Sequence, residues 1–142
     1  MTNDEKPRWT KINIKQPVQD LIEYGPSFEM GVTSTTTGET IKVLAQLDTG
    51  AAGTGVSKRL SQRLALMPHG AWGEVHEAGR EPLVVPYHLV RLGFPHGDFE
   101  LEAACLPSLG EPHDVLIGRD ILKKCRLDID FTTGVTTLLI RS

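Results

Sequence analysis

The residues best suited to chemistry lie in Ala45-Gln46-Leu47-Asp48-Thr49-Gly50-Ala51, where an apolar stretch ends on a carboxylate followed at once by a small hydroxyl residue and a glycine. Apolar neighbours disfavour the ionised form of such a carboxylate, so its place is odd for a purely structural residue, and carboxylate chemistry is acid–base chemistry. Gly50 lets another segment's backbone come close, and the Thr49 hydroxyl can hold the turn. The plain alternative is an ordinary turn. By composition alone an Asp-Thr-Gly arises in roughly a few per cent of chains of this length, so the tripeptide is a modest signal by itself.

It does not stand alone. Gly118 lies 68 residues after Gly50, preceded by Leu116 and Ile117 and followed by Arg119-Asp120-Ile121-Leu122. With these two motifs in this order, the sequence resembles the retropepsin-like aspartic proteases, the single-domain family that includes retroviral proteases. Its pattern is an apolar residue before Asp-Thr-Gly-Ala and, later, two apolar residues before Gly-Arg-Asp or Gly-Arg-Asn. The match spans roughly residues 28–140, and Thr54 fits the family's small hydroxyl residue a few positions after its Ala.

The resemblance implies that Asp48 is catalytic, that Thr49, Gly50 and Ala51 support its loop, and that Leu116, Ile117 and Gly118 wall the catalytic turn. Two aspartates, one from each half of the active unit, would share a proton and hold a water, one acting as general base and the other as general acid, with no metal and no cofactor. Carboxylates that close cannot both ionise easily, and they titrate as a pair. The chain holds one Asp-Thr-Gly; Asp130-Phe131-Thr132-Thr133-Gly134 carries an extra residue and reads as a hairpin turn. The implied active unit is therefore a two-fold homodimer with Asp48 of each subunit on the axis and Thr49 bonding across it. The family covers its cleft with a hairpin flap. Here that flap is expected within 72–86, with its tip at Glu77-Ala78-Gly79-Arg80, because Gly79 can supply the turn and Val84 and Val85 resume a strand. Gly70-Ala71-Trp72-Gly73 is the competing tip, and Trp72 the competing core residue. Retroviral members place acidic residues just after the Ala, where this chain has Ala52 and Gly53, so Arg119 is expected to lack its acidic partner.

The elements that must position these residues read as mainly β. Two alternating runs at 28–47, joined at Thr36-Thr37-Gly38, form a hairpin ending at Asp48, and a helix follows from Val56, Leu60, Leu64 and Met67, capped by Ser57 and closed before Pro68. Further strands are expected at 83–92, 99–106, 114–117, 127–131 and 135–140, with a helical turn or two at 119–124. Asp128 and Asp130 mark a solvated face opposite Leu127, Ile129 and Phe131. Seven or so strands and two short helices point to a closed or strongly bent β-barrel, of the acid-protease type if the resemblance holds. Residues 1–25 read as an N-terminal arm whose Ile12 and Ile14 could pair at a subunit edge, and 26–142 as the protease domain.

The chain's 142 residues suit one domain, and 39% hydrophobic with 23% charged residues suit a folded one. A net charge of −3 with scattered basic residues offers no phosphate-tracking surface, and no apolar stretch is long enough to span a bilayer, so neither nucleic acid nor membrane is an expected partner. Cys105 and Cys125 lack Cys-x-x-Cys spacing and are expected as thiols of a cytoplasmic protein. His69, His76, His88, His96 and His113 have no metal-binding spacing, and there is no Gly-x-Ser-x-Gly. The expectation is an aspartic endopeptidase acting on extended, apolar peptide segments. The alternative is an idle domain of the same fold that binds peptides or dimerises.

Overall fold

The computed structural model describes residues 8–77, 79–95 and 97–141, so the expectations for Ala78 and His96 lie outside the described residues. The first elements among the described residues are β1 (Trp9–Lys15) and α1 (Val18–Tyr24), the latter ended by Gly25 at φ 76°. This helix was not expected. Seven residues are too few to show a helical period, and Pro17 reads as a break although proline is well tolerated where a helix begins; Leu21 is fully buried.

The expected hairpin is β2 (Ser27–Ser34) and β3 (Thr40–Leu47), with Met30 opposite Val43 and Val32 opposite Ile41. After the Asp-Thr-Gly turn come β4 (Gly55–Ser57) and α2 (Lys58–Arg63), where the Ser57 hydroxyl accepts from Leu60 N at 3.0 Å. The helix is shorter than its spacing suggested. Leu60 and Leu64 are buried, but Val56 belongs to β4, Ala65 takes φ 50°, and Met67 is exposed.

The hairpin β5 (Gly73–Val75) and β6 (Leu83–Val85) precedes β7 (Tyr87–Phe94) and β8 (Gly97–Leu106). The single strand expected over 83–92 is thus divided at Pro86, which has no N–H to donate to a ladder and whose carbonyl accepts from Cys105 N at 2.9 Å. Then follow β9 (Val115–Ile117), α3 (Arg119–Leu122), β10 (Cys125–Asp130) and β11 (Val135–Arg141). There are three short helices among the described residues rather than two. Phe131 is not on the apolar face of β10: the Asp130 carboxylate accepts from Thr132 N at 2.9 Å, which turns the chain and leaves Phe131 half-exposed.

The fold is mainly β, as expected. Six strands close a barrel in the order β2-β3-β9-β4-β8-β7, and a separate sheet runs β1-β11-β10. Side chains from both, including Val32, Val56, Leu92, Ile117, Leu138 and Ile140, form one core. Ile12 and Ile14 of β1 pair first with Leu138 and Thr136 of the same chain, so β1 has a partner before any subunit contact.

Where α1 meets the barrel, His113 is buried, its Nε2 2.8 Å from the Ser27 hydroxyl and its ring edge-on to Tyr24 at 5.5 Å. Burial pushes its pKa below 6.5, with the neighbouring Asp114 charge acting the other way. The unfolded chain therefore binds this proton more readily, and the stability His113 contributes is present above about pH 6.5 and lost as pH falls toward the folded value. Wild-type denaturant midpoints should fall between pH 7 and pH 5 more steeply than those of His113→Gln. Parallel profiles would show that His113 does not carry this dependence.

Candidate active site

β3 lies parallel to β9 on one side, with Leu47 opposite Ile117, and β4 lies antiparallel to β9 on the other, with Gly55 opposite Leu116. The chain between β3 and β4, residues 48–54, must therefore cross over the end of β9. Asp48 begins that crossing, its N–H donating to the Ile117 carbonyl at 2.9 Å. Gly118 lies directly beneath. A Cβ there would stand 2.4 Å from the Gly53 carbonyl oxygen, closer than any side chain tolerates, and a tight 3.0 Å from that of Ala51.

The far end of the crossing is clamped by α3. Asp120 accepts from the Thr54 N–H at 3.0 Å and the Thr54 hydroxyl at 2.7 Å, and the same hydroxyl accepts from Gly118 N at 3.2 Å. Arg119 N donates to the Ala51 carbonyl at 2.8 Å, while its guanidinium donates to the Thr49 carbonyl at 2.9 Å. A main-chain oxygen of the turn thus stands where an acidic partner was missing.

Within this frame the Asp48 carboxylate is half-buried, and its Oδ1 accepts from Gly50 N at 2.8 Å. A Cβ on Gly50 would lie 3.1 Å from that oxygen, so a larger residue would crowd the carboxylate. Thr49 is exposed.

Asp48, Gly50, Ala51, Leu116 and Arg119 line one wall of a cleft of about 700 Å³, and Glu77 of the hairpin lines another. Ile117 and Gly118 lie under the turn instead, and Ile117 is fully buried. The hairpin turn has Gly79 at φ 74°, with Arg80 N donating to the Glu77 carbonyl at 3.1 Å. Arg80 is turned to solvent and pairs with Glu77 at 3.7 Å. Trp72, at 58% exposure, is no part of the core.

Sequence reasoning missed the clamp and the far wall. In the sequence Asp120 stands out only as a letter of the second motif, although a Thr beside one motif and a carboxylate in the other are the signal for the bond. Tyr87, Ala104 and Leu106 also line the cleft, and nothing in an apolar alternating strand distinguishes a cleft wall from a core face. No cluster able to hold a metal ion and no helix long and apolar enough to cross a membrane occur among the described residues. Cys105 and Cys125 are free, and burial pushes both thiols up in pKa.

No protein-family model and no curated protein sequence matches the chain. Among solved structures, a retropepsin-like aspartic protease from Rickettsia conorii is similar at a TM-score of 0.58 and 15% identity, covering 96% of this chain and 96% of that one. The retroviral protease-like domain of Ddi1 from Leishmania major is similar at a TM-score of 0.46 and 19% identity, covering 82% of this chain and 93% of that one. The first likeness shows a retropepsin-like fold along nearly the whole chain.

Because the space above Gly118 is filled by backbone, Gly118→Ala should displace the turn and cost on the order of 1–3 kcal/mol, measured by denaturant unfolding. Thr54→Val, which leaves Gly118 N and the Asp120 carboxylate without this hydroxyl, should cost about 1–3 kcal/mol as well. Wild-type stability in both variants would contradict the packing described.

Proposed function

We propose that a chain with this retropepsin-like fold is an aspartic endopeptidase, active as a homodimer with Asp48 of each subunit at the two-fold axis. The observation that carries the proposal is the placement of Asp48: a carboxylate held by backbone bonds at the turn over Gly118, on the wall of a peptide-sized cleft. One carboxylate cannot be both base and acid in the same step, and the chain contains a single Asp-Thr-Gly. Pairing two copies supplies both roles.

In the paired site one ionised Asp48 takes a proton from the water as its oxygen attacks the peptide carbonyl carbon, while the protonated Asp48 gives its proton to the carbonyl oxygen. The resulting diol collapses with proton transfer to the nitrogen, and the C–N bond breaks to leave a carboxylic acid and an amine. Neither step needs a metal, a cofactor or a covalent intermediate.

The β5–β6 hairpin is assigned as the cover of the cleft, with Glu77, Gly79 and Arg80 at its turn. Apolar positions in the substrate are supported by Val75, Ala104, Leu106 and Leu116 in the cleft walls. The exposed position of Thr49 suits contact across the axis, and the outer edge of β1, which has no strand partner among the described residues, suits a second contact. Free thiols favour a cytoplasmic setting.

Asp48→Asn should fold like the wild type, since the amide is nearly isosteric, and should hydrolyse no peptide in a diverse mixture. When wild-type protein exchanges subunits with an equal amount of this variant, random pairing leaves roughly a quarter of dimers with both carboxylates, so activity should fall to about a quarter of that of wild type at the same total protein concentration. Half activity, with specific activity unchanged on dilution, would show that each chain works alone. A folded dimer that binds peptides without Asp48-dependent cleavage would identify the idle-module alternative.

A further inference from the structure

Tyr87 lines the cleft with its backbone committed and its hydroxyl uncommitted. Its main chain pairs with Ala104 in β8, and its carbonyl accepts from His69 N at 2.7 Å. Its ring lies against Gly73, where a Cβ would come within 2.1 Å of Cε2 and 2.4 Å of the hydroxyl oxygen. Gly73 stands opposite Val85 at the root of the β5–β6 hairpin, and Pro86 alone separates β6 from Tyr87. The ring is therefore the seat on which the hairpin root rests, and any side chain at residue 73 would lift it.

The phenol oxygen has no hydrogen-bond partner among the described residues. It is not a sealed orphan, because Thr136 Oγ1 is the buried side-chain atom without a partner among those residues. Tyr87 is half-buried and lines the cleft, and a phenol without a partner there is a donor waiting for an acceptor. β5 has β6 on one edge and no strand on the other among the described residues, so an extended peptide lying along β5 would carry its carbonyls past Gly73 and Tyr87.

We infer that Tyr87 is a substrate-binding residue whose ring seats the root of the β5–β6 hairpin and whose hydroxyl donates to a main-chain carbonyl of a peptide bound in the cleft. This rests on the protease reading and extends it to how the peptide is gripped. Because the bond is to main chain, it favours extended backbone without choosing among side chains.

The test uses full-length protein and the peptide that wild type cleaves fastest in a diverse mixture. Tyr87→Phe keeps the ring on Gly73 and removes only the hydroxyl. It should raise KM by about three- to tenfold with kcat changed less than about twofold, and leave the thermal midpoint unaltered. The same peptide is then made as non-cleavable inhibitors with single carbonyls reduced to methylene. One position should weaken binding to wild type and not to Tyr87→Phe, which identifies the carbonyl bound. An unchanged KM, or a raised KM accompanied by a lowered thermal midpoint, overturns the inference. If wild type cleaves nothing in an Asp48-dependent way, the protease reading fails first and this inference falls with it, an outcome distinct from cleavage that ignores Tyr87→Phe.

Discussion

The contact between Gly118 and the carbonyls of Ala51 and Gly53 is the constraint from which the rest of the architecture follows. A strand flanked on both sides by the two ends of one loop forces that loop across its end, and backbone can lie on backbone only where no Cβ intervenes. The closeness then permits the bonds that hold the loop, from Asp48 N to Ile117, from Arg119 N to Ala51, and from Thr54 to Asp120. The carboxylate at residue 48 is thereby fixed by main chain at both ends of its turn. Barrel closure and the site are consequences of the same crossing, since β9 is the strand that joins β3 to β4.

Arg119 illustrates how a local departure is absorbed. Its guanidinium donates to a carbonyl of the turn rather than to a carboxylate, so the contact positions the loop without neutralising the charge. That charge remains on the wall of a cleft also lined by Asp48, Glu74, Glu77 and Glu102. Asp120, next in sequence, has both carboxylate oxygens occupied by Thr54. Adjacent motif residues thus divide the work: Asp120 clamps the end of the crossing, and Arg119 faces its middle.

The parts farther from the crossing are held more loosely. The β5–β6 hairpin is a two-stranded sheet of its own, anchored by buried Val85 and by the seat of Gly73 on Tyr87, with Leu83 and Val84 exposed. A ladder of three residue pairs with few buried side chains is the physical signature of a segment that can open locally while the barrel stays closed. α1 and β1 are tied in by Leu21 and by the ladder to β11, which makes residues 9–24 part of the packed structure.

Some of this was determined by the sequence alone. Alternation at 28–47 and 99–106 specified strands because period two leaves one face for the core, and the two motifs in order carried a resemblance to the retropepsin-like pattern. Length alone did not decide legibility: β9 and α3 were expected although they are short, whereas α1, β4 and β5 are too brief for a period to emerge, and the break at Pro86 depends on which N–H groups a ladder requires. The tertiary structure alone decided what Arg119 and Asp120 bond to, that Trp72 faces solvent, and that Tyr87 belongs to a cleft wall. Those facts depend on which distant residues meet, such as Arg119 with Thr49 70 positions away and Asp120 with Thr54 66 away, and a linear pattern records which face a side chain leaves the strand on, never what it meets there.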